Sequence, residues 1–191
     1  MLKDLVLFFV PDITDTRVIR RARSFINKGF YLITISFRRD RYNKNFKPEW
    51  ENHHLGFIDD GSYVKRALLL LKYLLILMNG KLYKKNTRVI YAINLDLLIV
   101  ALIIKKILGS NVPVVYEVAD IHPLLVRENF VGRYIRRIEK FCLKYISLLV
   151  VTSGAFISEY FEKVQGYSGK TFVLENKVYI KNRKQIFTGS K

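Results

Sequence analysis

The feature that most narrows what this chain can fold into is the stretch Val112–Pro123, VPVVYEVADIHP. It begins as a near-continuous apolar run and ends in a carboxylate, an imidazole and a proline. A run without polar alternation reads as a strand covered on both faces, and such strands belong to parallel sheets flanked by helices. Open sheets of this kind hold ligands at the carboxyl ends of their strands, which is where Asp120 and His122 fall. The stretch therefore predicts a fold class and a place for chemistry together.

The rest of the chain repeats the same alternation. Leu5–Val10, Phe30–Phe37, His53–Ile58, Arg88–Ile93, Ser147–Thr152 and Thr171–Leu174 read as further strands. Between the first two, Val18, Ile19, Ala22, Phe25 and Ile26 recur at helical spacing after the capping turn Pro11–Asp15, with Gly29 suited to the helix end. Tyr63–Asn79 is a strongly apolar helix after the turn Asp59–Ser62, with Lys65, Lys72 and Asn79 on one narrow polar stripe and Lys81, Lys84 and Lys85 following. Burial against the sheet is the favoured reading of that helix and a membrane interface is the competing one, and the two can hold together on different faces. Leu97–Leu108 is a further apolar helix, capped by Asp96 and closed by Gly109. A helix over about 132–146 has the expected apolar face Tyr134, Ile135, Ile138, Phe141, Cys142 and Tyr145, and another helix starts at Ser153. Arg38–Asn52 reads as an exposed loop. The expectation is a single α/β domain over residues 1–177, Rossmann-like and doubly wound, its mainly parallel sheet of about seven strands having helices on both faces, followed by a basic tail over 178–191.

With 191 residues, half of them apolar, the chain is long enough for one packed core. Its 33 Lys and Arg against 16 Asp and Glu leave a net charge of +17, which favours anionic partners. Arg133, Arg136, Arg137, Lys140 and Lys144 share the outer surface of one helix and suit an anionic membrane surface. Nucleic acid is the weaker reading of that charge, because no ribonucleoprotein motif, zinc finger or helix-turn-helix accompanies it. The lone Cys142 excludes an internal disulfide and fits a reducing cytoplasm. No apolar run reaches the roughly 18 residues of a membrane span, and the start MLKDLVLFFVPD reads as a core strand, not a signal peptide.

Several chemistries are set aside. There is no Gly-x-Gly and no phosphate loop ending Gly-Lys-Ser/Thr, so the close backbone approach that dinucleotide and triphosphate sites need is missing. No Asp-x-Asp is present, and the adjacent His53 and His54 would point to opposite faces of a strand, so no metal site is expected. Thr152-Ser153-Gly154 lacks the nucleophile-elbow pattern, which leaves N-capping as the default role of Ser153. Asp120 and His122 are the catalytic candidates: two residues apart at a strand end, they could share a proton or orient an acceptor hydroxyl. The alternative is a turn carboxylate beside a satisfied histidine held by Pro123.

Taken in order, six segments resemble the N-terminal half of a glycosyltransferase family 4 enzyme of GT-B architecture. Asp15–Ala22 with Gly29 looks like the family's first helix, and Ile90–Asp96 like its fourth strand and the turn on the acceptor side. Val114–Asp120 resembles the strand that often ends Tyr-Asp-x-His. Glu139 sits where the family has an Arg-x-x-Glu-type helix, Leu148–Ser153 is similar to the strand before its serine-bearing helix, and Leu174–Lys177 resembles the segment leading to the second domain. The histidine of that strand end aligns with Ala119, so its role passes to His122 or is lost, and Pro11–Thr14 replaces the usual glycine-rich turn.

The resemblance implies a retaining transfer of sugar from a nucleotide-sugar to a polysaccharide or lipid-linked acceptor, without a metal. Asp120 and His122 would face the cleft, and Asn94, Asp96 and Ser153 would contact the acceptor. No cofactor is implied, and the nucleotide-sugar is expected only with a second, donor-binding domain, which the resemblance places beyond Lys177. A separate donor-domain subunit, an anionic membrane and a lipid-linked or saccharide acceptor are the implied partners. The implied location is cytoplasmic, peripheral to the inner face of the membrane. A non-catalytic membrane-associated scaffold of a split transferase is the second reading.

Overall fold

The computed structural model describes residues 4–39, 41, 43–59, 61–78, 87–107 and 111–175. Lys81, Lys84, Lys85, Asn79, the helix end at Gly109 and the tail over 178–191 therefore lie outside the described residues. Seven strands form one parallel sheet: β1 Leu5–Val10, β2 Tyr31–Arg38, β3 Glu51–Phe57, β4 Thr87–Ile93, β5 Val114–Val118, β6 Leu148–Val151 and β7 Thr171–Val173. Their order is β3-β2-β1-β4-β5-β6-β7, and every pair is parallel. The chain moves outward from β1 through β2 to β3, then crosses back and moves the other way from β4. The sheet thus has its switch point between β1 and β4, with β5 next to it.

Strand alternation sorts the apolar residues onto two faces. Leu5, Leu7 and Phe9 of β1 face one core, with Tyr116 and Val118 of β5. Val6, Phe8 and Val10 face the other, with Tyr91 and Val115. Helix α1, Thr16–Asn27, covers this second face with Val18 and Ala22; Asp15 caps it, accepting from Arg17 N at 2.8 Å, and Gly29 follows its end at φ +87°. The first face is covered by α2 Tyr63–Met78, α3 Leu95–Ile107, α5 Phe130–Leu143 and the segment after β6. Between β5 and α5 lies the short helix α4, Pro123–Val126. After β6 a single turn, α6 Gly154–Phe156, runs into a π-helical stretch, Ile157–Glu162, which inserts Tyr160 and Phe161 into the core.

The structure differs from the sequence expectations at four places. Arg38–Asn52 is not simply an exposed loop: β3 already begins at Glu51, Phe46 and Trp50 pack on the α1-side core, and Trp50 Nε1–H donates to Thr34 Oγ1 at 3.0 Å. Asp96 does not cap α3. Asn94 precedes that helix, its carbonyl accepting from Leu98 N at 3.0 Å, and its φ of +72° lies in the left-handed region that asparagine tolerates. Among the described side chains of helix α2, only Leu70 is fully buried, with Leu69, Tyr73 and Leu74 packed beside it, while Val64, Leu68, Leu71 and Leu75 stay exposed. On α5 the packed residues are Ile135, Ile138, Cys142 and Leu143; Tyr134, Phe141 and Tyr145, expected in the core, are exposed.

Candidate functional site

At the switch point the carboxyl ends of β1, β4 and β5 open into a cavity of about 770 Å³. Its floor and walls come from the turn after β1, the end of β2, the first turns of α1, α2 and α3, and the segment after β5.

The turn after β1 is built without glycine. Asp12, buried, accepts at Oδ1 from Thr14 N (3.0 Å), Thr14 Oγ1 (2.8 Å) and Arg39 N (3.2 Å), while Ile13 N donates to the Phe37 carbonyl at 3.0 Å. An aspartate bonding its own backbone two residues on reproduces the turn that a glycine would otherwise permit. Asp12 Oδ2 is buried with no hydrogen-bond partner.

Arginine–carboxylate pairs define the walls. Arg21 on α1 meets Glu117 of β5 at 2.8 Å, and Tyr91 OH donates to the second oxygen of Glu117 at 2.6 Å. Burial, reinforced by the Glu117 charge, pushes the Tyr91 hydroxyl far above its ordinary pKa, so it remains a donor. Arg17 pairs with Asp15 at 2.8 Å. Arg66 on α2 grips Asp96 through both oxygens, Nη2 reaching Oδ1 at 3.1 Å and Nε donating to Oδ2, and its guanidinium lies 5.0 Å from the Phe37 ring centroid.

Asp120 and His122 both line the cavity, and both are exposed. They do not hydrogen-bond to each other. His122 Nδ1 accepts from Leu124 N at 3.2 Å and so caps α4. An accepting Nδ1 leaves the proton of the neutral ring on Nε2, which lies 3.2 Å from Tyr63 OH. Asn94 and Asp96 line the same cavity. Ser153 does not; it caps α6, accepting from Ala155 N at 3.3 Å. Its neighbour Thr152 ties the end of β6 to β5 by donating to the Ala119 carbonyl at 2.8 Å.

Among the basic residues of the α5 region, Arg133, Arg137, Lys140 and Lys144 are exposed. Arg136 is otherwise engaged: Nη1 donates to the Leu125 and Arg127 carbonyls at 2.8 and 2.7 Å and so closes the end of α4. On the inner side of α5, Glu139 is fully buried and accepts from Tyr116 OH (2.9 Å), Tyr160 OH (2.5 Å) and Gln165 Nε2 (2.6 Å). Burial outweighs these bonds and holds its pKa above the usual carboxylate range.

Sequence reasoning missed Tyr63, Glu117 and the cavity arginines Arg17, Arg21, Arg39, Arg41 and Arg66. One signal was available: Arg17 and Arg21 stand one helical turn apart on the side of α1 that starts at a strand end. No group of three His, Cys, Asp or Glu among the described residues could hold a metal ion, and no described helix is long and apolar enough to cross a membrane.

A seven-stranded parallel Rossmann-like sheet with a switch-point cavity walled by arginine–carboxylate pairs is the class this molecule defines. No family model matches the sequence. The chain is 33% identical over 173 residues to the succinoglycan biosynthesis protein ExoL of Rhizobium meliloti (strain 1021), an alignment covering 91% of this chain and 43% of that protein. Its fold matches the lipopolysaccharide outer core galactosyltransferase WaaB in its apo form with a TM-score of 0.57, at 14% identity, over 93% of this chain and 47% of that one. The chain therefore spans less than half the length of either protein.

Proposed function

We propose that this chain is the acceptor-side half of a retaining GT-B glycosyltransferase of family 4 that works in polysaccharide biosynthesis. The observation that carries the reading is the cavity at the β1/β4 switch point, in a chain with the fold of half a galactosyltransferase and a relative named for succinoglycan biosynthesis. A donor-side domain holds the nucleotide-sugar and forms the other wall. The acceptor is a saccharide or lipid-linked hydroxyl. Its oxygen forms the new bond to the anomeric carbon, the bond from that carbon to the nucleoside diphosphate breaks, and the hydroxyl proton leaves with the diphosphate. Asp120 accepts a hydrogen bond from the attacking hydroxyl and His122 Nε2–H, beside Tyr63, donates to the acceptor. Asn94 and Asp96 shape the adjoining wall, while Ser153 enters only as a helix cap.

In protein assembled with its donor-side domain, Asp120→Asn and His122→Asn should each lower kcat by roughly 10²-fold through misplaced acceptor. Melting temperatures should hold, because Asp120 is exposed and asparagine still caps α4. Unchanged turnover in both variants would remove this strand end from the mechanism.

The same reading places the protein against the inner face of an anionic membrane. Val64, Leu68, Leu71 and Leu75 form one exposed apolar stripe on α2, with Lys65 and Lys72 beside it. Phe130, Tyr134 and Phe141 of α5, with Tyr145 in the turn after it, form another, flanked by Arg133, Arg137, Lys140 and Lys144. Both belong to the helical layer over the larger core, with α3 between them. Apolar and aromatic side chains beside cations suit insertion at a headgroup boundary of negative charge.

A further inference from the structure

Tyr63 and His122 are 59 residues apart in the chain and meet at the cavity. Tyr63 OH lies 3.2 Å from Nε2, and the two rings stand edge to face with centroids 5.7 Å apart. One group with no choice of role sets the direction of the hydrogen bonds between them. The Leu124 backbone N–H can only donate, and it donates to His122 Nδ1 at 3.2 Å. A neutral ring that accepts at Nδ1 carries its proton on Nε2, so Nε2–H donates and the Tyr63 oxygen accepts. The tyrosine's own proton must then point away from His122. Among the described residues nothing accepts it, and Tyr63, 57% exposed, lines the cavity.

Both partners are held on fixed elements. Gly61, at φ +76°, turns the chain into α2, and Tyr63 N donates to its carbonyl at 2.8 Å. One turn further on, Arg66 clamps α2 to Asp96 in the first turn of α3. On the other side Leu125 is buried, and Arg136 holds the Leu125 and Arg127 carbonyls at the end of α4. A hydroxyl positioned from both sides gives up little freedom on meeting a ligand, which is what lets a single hydrogen bond discriminate.

We propose that Tyr63 is a specificity-determining residue whose hydroxyl, oriented by His122, donates to a lone-pair oxygen of the saccharide acceptor, an inference that rests on the acceptor-side reading of the cavity. The donation of His122 reaches the acceptor through Tyr63. Asp120 accepts from the attacking hydroxyl, and Tyr63 supplies the complementary donor on the same ligand.

The test has a spectroscopic arm and a binding arm, both on the whole chain. Imidazole nitrogen resonances of protein labelled at its three histidines report each tautomer at a pH well above the usual imidazole range. His122 is assigned by its loss in His122→Asn, and it should be the Nε2–H tautomer. An Nδ1–H tautomer reverses the order of donors and overturns the inference. The binding arm is titration with methyl β-glucoside and methyl β-galactoside, whose ring and glycosidic oxygens accept and cannot donate. Tyr63→Phe should weaken the tighter of the two at least about threefold, the loss of one hydrogen bond, with melting temperature and the His122 tautomer unchanged. In a His122→Asn background the same substitution should have no further effect, because the hydroxyl is no longer oriented. Wild type and Tyr63→Phe binding alike, or both failing to bind, overturns the role of Tyr63; an undiminished effect in the His122→Asn background overturns its orientation by His122. Sugar transfer is measured separately, in protein assembled with its donor-side domain, where Tyr63→Phe should raise KM for the acceptor more than it lowers kcat. Transfer with KM unchanged sinks the role of Tyr63 alone, and hexoside binding that falls in Tyr63→Phe without any transfer sinks the transferase reading alone.

Discussion

The two helical layers over this sheet solve the same problem to different degrees. On one face α1, helped by Phe46 and Trp50, covers the strands and then presents arginines and small polar groups to water, with Ile26 as its exposed large apolar residue. On the other face α2, α3 and α5 cover a larger core, yet two of these helices are apolar on the outside as well. Leu68 is 62% exposed and Phe130 75%. Sheet burial explains the inner stripe of each helix and says nothing about the outer one. A stripe at helical spacing that the described fold leaves exposed calls for an explanation, whereas a scattered exposed leucine needs none.

Each layer also buries one glutamate, and the two are held differently. Glu117, under α1, faces the Arg21 guanidinium and the Tyr91 hydroxyl. Glu139, under the larger layer, has only neutral donors: two tyrosines and a glutamine. The sharpest way to break this contrast is Arg21→Met. Leaving Glu117 buried without its cation should cost about 3–5 kcal/mol, read from urea unfolding, while the double variant Arg21→Met/Glu117→Met should regain most of it, because removing both charges leaves none uncompensated. A single-variant cost under about 1 kcal/mol would mean the pair behaves as an exposed one.

Glu139 should show the opposite dependence on partner charge, through pH. Its folded pKa lies above the value near 4.3 of the unfolded chain, so the folded protein keeps a proton that the unfolded chain has released. The stabilisation tied to that proton is complete below about pH 4.3 and is lost as pH rises through the raised folded value. Wild type should therefore gain melting temperature relative to Glu139→Gln on acidification through that window. The difference between the two proteins isolates this residue from the other carboxylates, and a difference that stays flat with pH would show that Glu139 is not held neutral.

Most of the fold was legible because each strand is an apolar run bounded by turn residues, and because the run over 112–118 could only be buried on both faces. The parallel order followed from strands alternating with helices. The site was legible in part. Asp120, His122, Asn94 and Asp96 were found by their position after strands, and that position did place them at the cavity. What position could not convey is direction. His122 precedes Pro123, a residue suited to the first turn of a helix, and so becomes the cap of α4. The cavity arginines escaped notice because they come from separate segments, each of which reads locally as a solvated basic surface; only the strand order brings them together. Tyr134, Phe141 and Tyr145 were placed in the core for a related reason: periodicity identifies an apolar stripe without saying what the stripe touches.

The smallest stability effect should come from the unfinished outer layer, and it sharpens the comparison most directly. Leu68→Gln and Leu71→Gln alter side chains that are 62% and 59% exposed, so each should change unfolding free energy by no more than about 0.5 kcal/mol. Val18→Ala, on the covered side of α1 and 2% exposed, removes two buried methyl groups and should cost more, about 1–2 kcal/mol. Vesicle binding should rank the same variants in reverse. Sedimentation with anionic vesicles should fall at least tenfold for the Leu68→Gln/Leu71→Gln pair and stay unchanged for Val18→Ala, and raising the salt should weaken wild-type binding through Arg133, Arg137, Lys140 and Lys144. The two kinds of substitution thus separate what an apolar residue does for the fold from what it does for a surface. If the glutamine pair sediments like wild type, the outer stripe of α2 is not a membrane face and the difference between the layers needs another occupant; if the pair unfolds the protein, the stripe belongs to the core after all.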